Sequence, residues 1–170
     1  MKQPSQGFTL LELLVVILLM GMMTTLAIPS FIAFGERNTL SAAVNQLQSS
    51  LAFARNTAIT QRIEVTVCPA DNNRSACGSE WSGELMIVKG NQTNNVQADD
   101  IVRVIPAGKS AQVTYSRGWS RIRYSSLGFT SGYNGSFTIC SGNGAEKSQG
   151  KKLVLSQLGR LRIDEAPIDC

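Results

Sequence analysis

Histidine is absent from this chain, which excludes Ser/His/Asp and Cys/His nucleophile systems and leaves cysteines, carboxylates and basic residues as the groups able to do chemistry. The four cysteines, Cys68, Cys77, Cys140 and Cys170, are spaced too widely for a four-thiolate zinc site, whose ligands come as close pairs. As disulfides they allow three connectivities. Pairing Cys68 with Cys77 and Cys140 with Cys170 closes one local and one terminal loop and is the arrangement expected. Gly144-Ala145-Glu146-Lys147-Ser148-Gln149-Gly150-Lys151-Lys152 has the outline of a phosphate loop. It carries one residue too many between its glycines, lacks Ser or Thr after the lysine, and precedes a strand-like run where a helix is required. It reads as a basic hairpin loop. No metal, cofactor or catalytic residue is expected, and the chain does not read as an enzyme.

The basic residues carry a stronger signal. Net charge is only +4, yet residues 64–100 hold six acids against Arg74 and Lys89, while residues 101–162 hold ten Lys/Arg against Glu146 alone. Such a split gives one surface of a folded domain an affinity for a polyanion. Arg121 and Arg123 flank Ile122, and Arg160 and Arg162 flank Leu161. Alternate residues of a strand share a face, so each pair projects two guanidinium groups from one side. With Lys151 and Lys152 they form the candidate set for successive phosphates of double-stranded DNA, bound without base readout. Lys109, Arg117 and Lys147 add to the positive field. The competing reading is a solvated strand face balanced by Asp164 and Glu165.

Glu12 is the other singular group. Residues 13–35 after it, 23 positions, hold no charge, a run long enough to cross a hydrocarbon core of about 30 Å as a helix. A carboxylate one turn into such a helix costs roughly 2.5–3.5 kcal/mol on insertion scales and calls for a partner. A secretory signal cut near Thr25-Leu26-Ala27 is a rival reading that leaves Glu12 inside the apolar run; an ordinary single-pass anchor is another.

Gly7-Phe8-Thr9-Leu10-Leu11-Glu12, followed by the apolar run and Pro29, resembles the class III signal of type IV pilins and pseudopilins. The resemblance implies cleavage after Gly7 by a prepilin peptidase and N-methylation of Phe8. It also implies that Glu12 meets the amino terminus of a neighbouring subunit, since two charges in low dielectric are tolerable only when paired. The protein is then a single-pass inner-membrane protein with a periplasmic C-terminal domain, carried later into a pilus with other major and minor pilins. In that oxidising compartment disulfides persist.

The elements that position these groups follow from periodicity. Leu40, Val44, Leu47, Leu51, Ala54 and Ala58 recur at helical spacing, with Asn45, Gln46, Gln48 and Asn56 on the other faces. A helix over 8–61 is roughly 80 Å long at 1.5 Å per residue, with a kink or local melt expected at Pro29. From Ile63 the period falls to two. Short strands are expected at 63–68, 84–88, 101–105, 112–115, 121–124, 136–140, 152–156 and 160–163, with Gln157-Leu158-Gly159 as a tight reversal. The expected fold class is α+β: a long N-terminal helix, its apolar half at 8–35 membrane-spanning, packed on antiparallel β-sheets. The divisions are a leader at 1–7, the helix at 8–61 and a β-rich periplasmic domain at 62–170.

Residues 51–59, the turn with Trp81, Phe137-Thr138-Ile139-Cys140 and residues 152–162 resemble minor pilins and pseudopilins with a GspH/FimT-type domain. Gly159-Arg160-Leu161-Arg162 resembles the C-terminal Gly-Arg-x-Arg element of FimT-like pilins, which bind DNA during natural transformation. What this implies is a minor type IV pilin that binds double-stranded DNA through Arg160, Arg162 and neighbouring basic residues. A structural minor pilin that primes assembly without DNA, and a type II secretion minor pseudopilin, stay open as alternatives.

Overall fold

The structure, a computed structural model, describes residues 9–108, 111–141 and 149–170; the Gly7-Phe8 junction, Lys109 and Lys147 lie outside them. Helix α1 (Leu10–Gln61) is followed by strands β1 (Val65–Pro69), β2 (Leu85–Lys89), β3 (Ile101–Ile105), β4 (Ala111–Tyr115), β5 (Ile122–Tyr124), β6 (Gly135–Ser141), β7 (Gln149–Leu155) and β8 (Leu161–Asp169). The fold class is α+β, as expected. Two compact units divide the chain, Met1–Arg37 and Asn38–Cys170.

In the first unit Thr9 caps the helix. Its hydroxyl accepts the Glu12 backbone N–H at 3.3 Å, and its carbonyl accepts the Leu13 N–H at 3.2 Å. Thr24 and Thr25 return their hydroxyls to the carbonyls of Gly21 and Met22 at 2.9 and 2.8 Å, which satisfies two polar groups inside an apolar stretch. Helical backbone continues through Pro29, so the expected local melt is absent. Proline removes a single ladder donor, and the helical bonds on both sides keep the turn wound. Leu10, Leu13, Ile17, Met20 and Met23 are all exposed. Among the described residues no helix is long and apolar enough to cross a membrane, so the span expected at 8–35 is not part of the structural finding.

In the second unit the periodic stripe is buried as its spacing requires: Leu40, Val44, Leu47, Leu51, Ala54 and Ala58 all enter the main core. The helix ends with Arg62 in the left-handed region (φ 54) and the Ile63 N–H on the Ala58 carbonyl at 3.2 Å, a Schellman closure made without glycine. One sheet has strand order β3-β2-β1-β5 and the other β4-β6-β7-β8; the pairings in both are antiparallel. Val65, Val67, Ile87, Ile122 and Tyr124 from the first sheet share the main core with Tyr115, Phe137, Ile139, Leu153 and Leu155 from the second. Tyr115 stacks on Phe137 at 4.6 Å, and Trp81 meets both rings edge-on.

Strands β1 and β2 are buried on both faces because a second cluster, Cys68, Met86, Val88 and Val96, forms on the far side of their sheet. The Cys68–Cys77 disulfide closes over that cluster, and Cys140–Cys170 ties the chain end to β6, with Cα separations of 5.5 and 5.9 Å. Both pairings are those expected from loop closure. The main-core residues and both disulfides lie within Asn38–Cys170, so this unit carries its own core. Strand β8 runs on to Asp169, well past the expected end at 163. Its last residues pair with Gln149 and Gly150, next to the anchored Cys170.

Candidate functional site

The β7–β8 hairpin presents the Gly-Arg-x-Arg element. The Ser156 N–H donates to the Arg160 carbonyl at 3.0 Å and the Gly159 N–H to the Ser156 carbonyl at 2.9 Å, closing a three-residue loop that ends on Gly159 at φ +72. The loop is seated on the turn after β5. Thr130, fully buried, donates its N–H to the Gln157 carbonyl at 2.9 Å and its hydroxyl to the Ser156 carbonyl at 2.8 Å. Arg55 on α1 donates Nε to the Gly128 carbonyl at 3.1 Å. A Cβ at position 159 would collide with that carbonyl oxygen and crowd Arg55 Nε and the Tyr124 ring at 3.1 and 3.2 Å. Two constraints therefore require glycine before Arg160: a left-handed backbone and contact with a neighbouring main chain.

Arg160 is exposed at this turn, just ahead of β8. Arg162 is exposed on β8 opposite Val154, and Lys152 lies opposite Asp164. Lys152 and Arg162 lie on the face opposite buried Leu153 and Leu155, the outer face of the sheet, and Arg160 stands at the turn two residues before Arg162. Lys152 and Arg162 are thus diagonal cross-strand neighbours, roughly 7–8 Å apart. The structure brings these three residues together.

The other candidates are dispersed. Lys151 alternates to the opposite face and points its Nζ at Ser41 Oγ on α1, 3.3 Å away. Arg121 precedes β5 and does not share a strand with Arg123; its Nε donates to the Tyr133 hydroxyl at 3.3 Å. Arg123 pairs with Thr66 in the other sheet, and its Nε is buried without a hydrogen-bond partner. Among the described residues the single ion pair joins Arg74 to Glu84, at 2.7 Å. Arg160 and Arg162 accordingly have no ion pair with Asp164; the side chain of Glu165 lies outside the described ones.

The acid-rich segment has a separate role. The hydrogen bond from Arg74 holds the Glu84 carboxyl below its ordinary value, and backbone N–H donors, Ala76 first, do the same for Asp71. These carboxylates organise the disulfide-closed β1–β2 connection. Tyr115 is pushed up to about 12 by burial, and burial raises Tyr124 as well. Among the described residues no group of side chains has the makings of a metal site. Sequence reasoning missed Arg55, Gly128 and Thr130, which seat the hairpin; the tight reversal at Gln157-Leu158-Gly159 was their one trace.

The family model described as Type II transport protein GspH matches residues 43–159. The chain belongs to the GspH family. The model for the prokaryotic N-terminal methylation motif matches residues 2–28 of this GspH-family chain, which implies a prepilin-peptidase substrate that is membrane-anchored and then assembled. The chain is a type IV pilin or pseudopilin. It is similar to the fimbrial protein EcpC of Eikenella corrodens, 30% identical over 100 residues; the match covers 56% of this chain and 62% of that relative, less than two thirds of its length. Among solved structures it is similar to the type IV minor pilin FimU of Pseudomonas aeruginosa, at 21% identity and TM-score 0.62 over 79% of this chain and 96% of that one. It is also similar to the minor pseudopilin EpsH from the Type 2 Secretion System of Vibrio cholerae, at 13% identity and TM-score 0.50 over 74% and 95%. These structural likenesses establish a shared fold.

Proposed function

We propose that this GspH-family chain is a minor type IV pilin that captures double-stranded DNA for natural transformation. The observation that carries the reading is the turn end of the β7–β8 hairpin, where exposed Arg160 and Arg162 and half-buried Lys152 stand without an ion pair among the described residues. Spaced cations on an open strand face suit phosphates along one DNA strand, so affinity is independent of sequence. In this account Gly7-Phe8 is the processing junction, Phe8 is methylated, residues 8–35 hold the protein in the inner membrane, and Glu12 pairs with a neighbouring amino terminus during assembly. The globular part, 62–170, faces the periplasm and later the cell surface. Binding of duplexes of unrelated sequence by Asn38–Cys170 tests the reading; similar affinities support it, and absence of salt-sensitive binding sinks it.

The GspH description and the likeness to EpsH favour a second reading, a type II secretion minor pseudopilin. There the partners are other pseudopilins and secreted protein, and deletion abolishes secretion while leaving DNA uptake unchanged.

A further inference from the structure

Trp119 is 42% exposed in the connection between β4 and β5, and the fold holds it there. The buried indole of Trp81 donates its N–H to the Trp119 main-chain carbonyl at 2.9 Å. The Trp119 ring meets Tyr133 edge-on, with centroids 4.8 Å apart and planes at 77°. Two guanidinium groups are tied to the same loops: Arg121 Nε donates to the Tyr133 hydroxyl at 3.3 Å, and Arg117 Nε to the Asn134 carbonyl at 2.9 Å. Gly118, Trp119, Ser120, Arg121 and Tyr133 line a recess of about 320 Å³, within the size of sites that take small ligands. None of these lining residues is acidic.

A partly exposed indole, braced by Tyr133 beside Arg121 and with no carboxylate in the lining, suits a planar base stacked on the ring and a phosphate on the guanidinium. We propose that this recess binds an unpaired base of a nucleic-acid strand, stacked on Trp119, with Arg121 and Arg117 on the flanking phosphates. Bases inside a duplex are already stacked on one another, so the site takes single-stranded DNA or frayed ends. It shares no residue with the Arg160, Arg162 and Lys152 face and stands whether or not that face binds duplex.

The two tryptophans make the test direct, because Trp81 is buried and Trp119 is open. A base stacked on Trp119 quenches its emission, while Trp81 reports an intact core. The full chain in detergent is titrated with oligo(dT), with a duplex of equal length and with polygalacturonate. Oligo(dT) is expected to quench saturably. Trp119→Ala should abolish the quench and weaken oligo(dT) binding by about 5- to 150-fold, the loss of one stacked base, with duplex affinity changed less than about twofold. That variant retains the main-chain carbonyl that holds Trp81, and Trp119→Phe should restore most of the affinity. No quench by oligo(dT), or quench by polygalacturonate at least as strong, overturns the proposal. Failure of duplex binding in the same samples would count against the β8 face alone.

Discussion

Replacing Gly159 with alanine separates the two constraints on the hairpin turn, because Gly132 supplies a matched control. Both glycines have positive φ, +72 and +84, but an added Cβ at 132 has nothing within 4 Å, whereas at 159 it collides with the Gly128 carbonyl. The left-handed backbone alone costs roughly 1–2 kcal/mol for a residue with a side chain. Gly132→Ala should therefore lose about that much. Gly159→Ala should lose a further 1–3 kcal/mol or so from overpacking, since the obstructing carbonyl is fixed by the Arg55 Nε bond and the Gly128 N–H bond to Ser125. At about 4 °C per kcal/mol for a domain of this size, thermal unfolding of Asn38–Cys170 should fall by roughly 4–8 °C in the control and 8–20 °C in Gly159→Ala. Duplex affinity should drop in Gly159→Ala alone, because the turn that presents Arg160 must move. Equal losses in the two variants would refute the argument that main-chain contact, and not φ, fixes this glycine.

Reduction should destabilise the same domain in two unequal steps: a loop-entropy estimate gives about 3.5 kcal/mol for Cys140–Cys170 and about 2.5 kcal/mol for Cys68–Cys77, from sequence separations of 30 and 9. Denaturant unfolding of the Cys140→Ser/Cys170→Ser and Cys68→Ser/Cys77→Ser variants checks the order, and a larger loss from the shorter loop contradicts it. Glu12→Ala should leave processing and the Asn38–Cys170 fold intact while lowering recovery in sheared fibres, because a neighbour's amino terminus then goes unpaired; wild-type recovery would remove the pairing role.

Much of the fold was legible because periodicity is set by burial. The stripe from Leu40 to Ala58 and the strands after Ile63 face the core where their spacing placed them, and the local and the terminal cysteine loops are the ones closed. The candidate site was legible in part. Arg160 and Arg162 do share the turn end of one hairpin, but Lys151 and Lys152, read together, fall on opposite faces because adjacent strand residues alternate. Arg121 lies outside β5, which is shorter than its β-like sequence indicates, and Arg123 belongs to a different sheet. Trp119 and Tyr133 meet through two connections whose course no local pattern encodes. The continuation of β8 to Asp169 was hidden for a similar reason: its acidic residues and Pro167 argue against a strand, and pairing with β7 beside a disulfide overrides them.

Whether the β7–β8 hairpin captures DNA is decided by the salt dependence of duplex binding by Asn38–Cys170, with and without Arg160→Gln/Arg162→Gln. Both arginines are exposed, so the double variant should keep wild-type stability to within about 0.5 kcal/mol. For the wild type, log K should fall linearly against log salt at about 0.9 per phosphate neutralised. The variant should bind every duplex more weakly by a similar factor, with a slope flatter by roughly two units, because phosphate contacts carry position and not base identity. Identical slopes for the two proteins, or a wild-type domain without salt-sensitive binding at low ionic strength, would contradict the assignment of DNA capture to this face.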